Sequence, residues 1–296
     1  MSKSSSQQTY TERIHQAVDY ISAHISDEIS LDVLASVACF SPFHFHRLFT
    51  AFIGETPREY IERVKLEKAA NRLCLMPFKS VSEIAFECGY ASASSFSRSF
   101  KKYHCISPSD FLKKHKEDFH SLNVSAPKTL RAFTARDISS VQVKSLPSFH
   151  FAYVQTLNGY MDGIPKSWKQ LLRYAETYDL IEPGAWHVGM PFDNPGITPR
   201  TKCRYRACIS VNEAYVQTRG EVKTLDLAAG KYAVYCFKGK VEDISDAYAF
   251  MYGGWLPQSG YMPDEKPLLE IYPPELHTEC HTGLLEYEIA LPVIPL

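Results

Sequence analysis

The sequence predicts two domains of different class: an all-α domain over residues 9–118 and an α+β domain over 140–296, joined by a linker over 119–139. Three observations carry this. Helix-cap signals and 3.6-residue apolar spacing crowd the first part. β-Branched and aromatic runs, most of the glycine and all three Trp fall in the second, and each part repeats itself internally.

Composition narrows the possibilities. The chain has 296 residues, enough for two cores, and is 45% hydrophobic and 22% charged, as expected of globular domains rather than disordered or fibrous ones. A net charge of -1 excludes a uniformly basic nucleic-acid coat but leaves room for a local basic face. No apolar run is long enough to span a membrane, and the start MSKSSSQQTYTER has no apolar secretory core, so the cytoplasm is the expected location. The eight Cys are scattered without a C-x-x-C pair and read as reduced, mostly buried thiols. His277, Cys280 and His281 lack a fourth ligand at zinc-like spacing, so no metal is expected, and no cofactor-binding glycine motif appears.

The first part contains a repeat. FHFHRLFTAFIGETPREYI (43–61) aligns without gaps on SSFSRSFKKYHCISPSDFL (94–112), pairing Phe45 with Phe96, Arg47 with Arg98, Phe49 with Phe100 and Pro57 with Pro108. Upstream, LDVLASVACF aligns on VSEIAFECGY. Ser30 and Ser80 are placed to cap a short helix bearing Leu31, Leu34, Ala35 or Val81, Ile84, Ala85, and Ser80 with Glu83 forms a capping box. The turn that follows holds Gly89 in the second copy, where a left-handed conformation is cheap, but Cys39 in the first, which must tolerate or avoid it.

Ser41 and Ser92 then cap a second helix whose buried stripe is Phe45, Leu48, Phe49, Phe52 or Phe96, Phe100, Tyr103. Its outer face carries His44, His46, Arg47 and Thr50 in one copy, and Ser94, Ser95, Ser97, Arg98, Lys101 and Lys102 in the other. Thr56-Pro57-x-Glu59 and Ser107-Pro108-x-Asp110 open a third helix in each. A short helix, a tight turn and a second helix with a polar face is the helix-turn-helix arrangement, whose second helix enters the major groove. The connecting helix, from Pro57 to Met76, would span about 30 Å, near the roughly 34 Å between successive major-groove faces.

The second part reads as ββαββ twice. VQVKSLPS, FHFAYVQT, a helix GIPKSWKQLLRYAETYDL, AWHVGMPF and RYRACISV are followed by EVKTLDLAA, KYAVYCFKG, a helix DISDAYAFMYGGWL, LLEIYPP and LLEYEIALPV. Two pseudo-symmetric strand-helix-strand repeats side by side predict facing sheets with a groove between them.

SLDVLASVACFSPFHFHRLFTAFIGETPREYI, the linker-helix residues Arg63, Leu66, Ala69 and Leu73, and SVSEIAFECGYASASSFSRSFKKYHCISPSDF resemble the AraC/XylS family of bacterial transcription regulators. The resemblance implies a double helix-turn-helix domain with Phe43, His46 and Arg47, and Ser94, Ser95 and Arg98, facing the groove. The small residues of the second reading helix suit phosphate positioning, leaving specification to the first. The implied partners are double-stranded promoter DNA and RNA polymerase, and the implied role is activation.

RYRACISV, GKYAVYCFKG, GGWLPQSGY, PLLEIYPP and EIALPV resemble the GyrI-like effector-binding domains of multidrug-responsive regulators. This implies a pocket acid at Glu270, aromatic walls from Trp255, Tyr261, Tyr272 and Tyr205, and Trp168 and Tyr160 near the rim, with Arg206 standing where the resemblance would place an acid. A carboxylate on an apolar strand is costly to bury without compensation, and with aromatic faces it favours a flat cationic or amphipathic ligand. The alternatives are that Glu270 pairs with Lys266 or Arg206 at the surface, that the domain hydrolyses strained electrophiles as some stand-alone relatives do, with Glu270 and Tyr205 or Tyr272 as acid and base, or that it docks another protein. Joined to a DNA-binding domain, sensing without catalysis is the expected function.

Overall fold

The computed structural model describes residues 3–76, 79–114, 140–157, 159–215, 222–240, 243–273 and 285–296. The chain divides into two compact units, Met1–Glu117 and Asp118–Leu296. The expected linker and the His277, Cys280, His281 triplet lie outside the described residues.

The first unit is helical: α1 (Lys3–Ala23), α2 (Leu31–Val37), α3 (Pro42–Ile53), α4 (Pro57–Leu75), α5 (Val81–Glu87), α6 (Ala93–His104) and α7 (108–114). Local chemistry sets the starts. The side chains of Ser30, Ser41, Thr56, Ser80 and Ser92 each accept the backbone N–H three residues on, and Thr56 with Glu59 and Ser80 with Glu83 complete reciprocal capping boxes. The two copies pack alike. Phe45 lies 5.4 Å from Phe49 and Phe96 5.3 Å from Phe100, and each second Phe meets the third helix edge-on, at Tyr60 and Phe111. Phe52 and Tyr103, expected in the buried stripes, stand at the solvent edge, as does Leu31: the first two lie in the last turns of α3 and α6, where the stripe runs out past the neighbouring helices, and Leu31 is the first residue of α2.

The turns resolve the glycine question. Gly89 has φ 75° and Cys39 φ 53°, so the cysteine tolerates the left-handed conformation. The pattern inverts at the ends of the reading helices, where Gly54 (φ 79°) matches Cys105 (φ 61°). A left-handed L-residue costs about 1–2 kcal/mol, more than the extra chain entropy glycine loses on folding, so Cys39→Gly is expected to stabilise this unit by about 0.5–1 kcal/mol in thermal denaturation. Among the described residues Cys88, Cys203 and Cys208 are buried, whereas Cys39, Cys105 and Cys236 are exposed, a departure from the expected burial. Cys39 and Cys105 both occupy left-handed turn positions outside any helix, so neither belongs to the apolar stripe of one.

In the second unit the described strands are β1 (Gln142–Leu146), β2 (Phe149–Thr156), β3 (His187–Pro191), β4 (Tyr205–Ser210), β5 (Lys223–Leu227), β6 (Gly230–Gly239), β7 (Tyr261–Pro263), β8 (Leu269–Tyr272) and β9 (Leu285–Pro295). Helix α8 (Tyr160–Thr177) follows β2; α9 (Ile244–Ala249) follows β6 and runs on as a π-helical segment, Phe250–Trp255, before β7, a short strand unforeseen in the sequence. All pairings are antiparallel, in the order β1-β6-β9-β8-β3-β4-β2-β5, with β7 on the far end of β9.

That order reads the same from either end once the repeats are superposed: each repeat lends its first strand to the other, β1 to β6 and β5 to β2. The halves therefore form one continuous sheet, not two facing sheets. Only Pro147 and Ser148 link β1 to β2, strands near opposite ends of the order, and the three Cα–Cα steps from Leu146 to Phe149 span no more than about 11 Å, so the sheet must curl round on itself. The inner face is filled by Phe149, Phe151, Tyr153, Met190, Tyr232 and neighbours, which occupy the space where a groove was expected. The outer face carries two further cores, one under α8 (Trp168, Leu171, Tyr205) and one under α9 and the π-helical turn (Phe250, Met251, Trp255, Ile289).

Candidate functional site

The outer faces of α3 and α6 are free of acid; their sequences, PFHFHRLFTAFI and ASSFSRSFKKYH, contain neither Asp nor Glu. On α3, Phe43 is 66% exposed, His44, His46 and Arg47 are exposed, and the Arg47 guanidinium lies over the Phe43 ring at 5.6 Å. Thr50 is half-buried and its hydroxyl donates to the His46 carbonyl at 2.8 Å. On α6, Ser94, Arg98, Lys101 and Lys102 are exposed. The Ser95 and Ser97 hydroxyls instead donate to the carbonyls of Ser92 and Ala93, each at 2.8 Å. The sequence-predicted groove-facing set thus divides into outward groups and hydroxyls already engaged with their own backbone.

The second site lies at the seam where β3 meets β8 and the two halves of the sheet join. Glu270, on β8, pairs with Gly189 on β3 and is 7% exposed. Three phenols donate to its carboxylate: Tyr248 to Oε1 at 2.5 Å, and Tyr272 and Tyr205 to Oε2 at 2.6 and 3.2 Å. Trp168 Nε1 in turn donates to the Tyr205 hydroxyl at 3.2 Å, and its ring meets Tyr272 edge-on at 5.6 Å. Tyr160 crosses Tyr205 at 6.2 Å and donates to the Asp193 carbonyl. Burial pushes the Glu270 carboxyl above its ordinary value, and the three phenols oppose that shift by bonding the charged form. Burial and the neighbouring carboxylate also hold Tyr205, Tyr248 and Tyr272 well above the usual phenol range, so they stay protonated donors.

Neither cation considered as a partner reaches Glu270. Lys266 pairs with Asp264 at 2.6 Å. Arg206 follows Tyr205 on its strand and so projects to the other face of the sheet, where it donates to Gln155 at 2.6 Å and lies 4.6 and 4.7 Å from the rings of Tyr153 and Phe192. The result is an anion ringed by neutral aromatic donors.

Of the expected wall residues, Tyr205, Tyr272, Trp168 and Tyr160 gather around the acid. Trp255, the last residue of the π-helical segment, instead stacks on Tyr261 at 6.2 Å within the core under α9. Sequence reasoning missed Tyr248, Gly189 and Tyr287. Tyr287 faces Tyr272 at 4.9 Å with its hydroxyl buried. A glycine inside a strand was the available signal for Gly189, since it marks close approach of another group: a Cβ there would stand 2.0 Å from the Tyr205 hydroxyl.

Fold and site define a chain that joins a paired helix-turn-helix unit to a curled-sheet domain with a buried acidic site. Residues 34–114 match the family described as a helix-turn-helix domain, and residues 139–294 match the GyrI-like small molecule binding domain. The chain belongs to the GyrI-like family, with an AraC-type helix-turn-helix domain ahead of it. It is 36% identical over 93 residues to the probable transcriptional regulator LumQ of Photobacterium leiognathi, which aligns with 31% of this chain; the chain spans 37% of the length of that relative. It is 30% identical over 122 residues to the DNA gyrase inhibitor of Yersinia enterocolitica (40% of this chain, 76% of that protein). Over 252 residues it is 22% identical to the transcriptional regulator Rob of Salmonella typhimurium, covering 82% of this chain and 84% of that one. Among the described residues no helix is long and apolar enough to cross a membrane.

Proposed function

We propose that the chain is a one-component transcription activator. In this reading α3 and α6 enter successive major grooves of promoter DNA, and a small aromatic or cationic molecule at Glu270 shifts its activity. The observation that carries it is the union, in one chain, of two acid-free reading helices with a sheet domain whose central acid has no cationic partner among the described residues. Phe43, His44, His46 and Arg47 are the specifying contacts; Ser94, Arg98, Lys101 and Lys102 track phosphate, with Thr50, Ser95 and Ser97 supporting the helix surfaces. RNA polymerase is the downstream partner, and the bacterial cytoplasm at the nucleoid is the place of action. Sensing is favoured over turnover because the Salmonella typhimurium relative that aligns with 82% of this chain, across both parts, bears the name of a transcriptional regulator.

The test is fluorescence anisotropy with duplexes enriched by the full chain from a random pool, in excess competitor and at several salt concentrations. Competitor-resistant binding that weakens with salt is the expected result. Arg47→Ala is expected to weaken specific binding by about 1–3 kcal/mol and to relax preference at one base position, because an arginine reading a guanine edge supplies both. Uniform weakening on every sequence would make Arg47 a phosphate contact instead. No competitor-resistant binding by the wild type would overturn the reading.

A further inference from the structure

We propose that the polar chain Glu55, Arg63, Glu67, Tyr103 is a positioning device that fixes how far apart, and at what angle, the two reading helices meet DNA. It therefore sets the half-site spacing this chain accepts, an inference that rests on the DNA-binding reading above. Glu55 follows directly on Gly54, the left-handed cap of α3, so it moves with the end of the first reading helix. Its carboxylate oxygens accept from Arg63 Nε at 3.1 and 2.9 Å. One turn further along α4, Glu67 accepts from Arg63 Nη1 at 2.9 Å. The other Glu67 oxygen accepts from the Tyr103 hydroxyl at 2.8 Å, on the last turn of α6. A continuous series of hydrogen bonds thus runs from the end of one reading helix, across the connecting helix, to the end of the other.

Burial gives this series its stiffness. The side chains of Arg63, Glu67 and Glu55 are 6%, 3% and 11% exposed, so the two ion pairs are shielded from water. Apolar packing alone is non-directional and lets helices slide and rotate. A planar guanidinium held between two carboxylates accepts only a narrow range of directions. Arg63 also lies over the Tyr60 ring at 4.9 Å, and Tyr60 packs edge-on against Phe49 of α3, which ties the same guanidinium to the first reading helix a second time. One inserted base pair moves a half-site by about 3.4 Å and turns it by about 35° about the DNA axis. A stiff double head rejects that displacement, and a loosened one follows it.

The experiment uses the full chain, Tyr103→Phe, and Glu55→Gln, which keeps a neutral acceptor for Arg63. The probe is a duplex enriched by the wild type from a random pool, alone and with one base pair inserted or deleted between the two footprinted half-sites. The wild type is expected to bind the altered duplexes at least about tenfold more weakly. Both variants are expected to bind the parent within about threefold of the wild type, and to lose no more than about threefold on the altered duplexes. Variants that keep the full tenfold penalty, or a wild type indifferent to the spacer, would overturn the positioning role alone. A wild type that binds no duplex specifically would overturn it together with the DNA-binding reading.

Discussion

Gly189→Ala is expected to destabilise the C-terminal domain by about 3 kcal/mol, read as a lower urea midpoint at unchanged slope. The added methyl would lie 2.0 Å from the Tyr205 hydroxyl and 2.9 Å from Glu270 Oε2, well inside contact distance. Neither neighbour is a loose end that can swing away. Tyr205 is fully buried and tied by Trp168 and Glu270, and Glu270 is held by three phenols. The strain must spread into the β3–β8 seam, the one place where the two halves of the sheet exchange hydrogen bonds directly along their inner strands. A loss under about 0.5 kcal/mol, within the range of ordinary surface substitutions, would mean that Tyr205 vacates its position freely.

Glu270→Gln is expected to reduce affinity for an organic cation such as benzyltrimethylammonium by about ten- to a hundredfold, the usual worth of a charge-assisted contact. It should also change the pH response. Because burial raises the folded carboxyl above its ordinary value, the folded state holds a proton that the unfolded state has released throughout the window between the two values. Stability is complete below the ordinary value and declines as pH rises through the raised one. Cation affinity runs the opposite way, rising across the folded value as the competing proton leaves. The glutamine variant should flatten both profiles in thermal-shift and calorimetric titrations, whereas unchanged profiles would place the titrating group and the ligand elsewhere.

The sequence made some of this legible and concealed the rest for physical reasons. Helix starts at Ser41, Thr56, Ser80 and Ser92 could be read because a cap is settled within four residues. Cys39 could not, since local chemistry allows a cysteine either to accept or to avoid φ above zero. Strand positions followed from the β-branched and aromatic runs. The exchange of β1 and β5 did not, because SLPSFHFAYV and LDLAAGKYAV resemble each other in pattern, and nothing local says which hairpin arm pairs with which. The phenols at 205 and 272 were named only through the resemblance to GyrI-like domains, whereas the acid at 270 stood out as a carboxylate on an apolar strand. Tyr248 did not: it sits on a short helix where a tyrosine usually means packing, and only the fold carries it to the carboxylate. The opposite orientation of Arg206 was available from its place next to Tyr205, since successive strand residues face opposite sides.

The crossed strands also bear on how the molecule is made. Strand β1 meets its partner only at Tyr232, Val234 and their neighbours in β6, and β6 is itself braced by β9 at the end of the described chain. During synthesis the helical unit, whose contacts are local, has all its partners as soon as it leaves the ribosome. The first strand of the sheet domain must wait bare until its partner in β6, 84 to 92 residues further along the chain, has been made. Until β6 is made, the uncovered first strand is an edge on which a second copy of the chain can pair, and the arrival of β6 is what closes it.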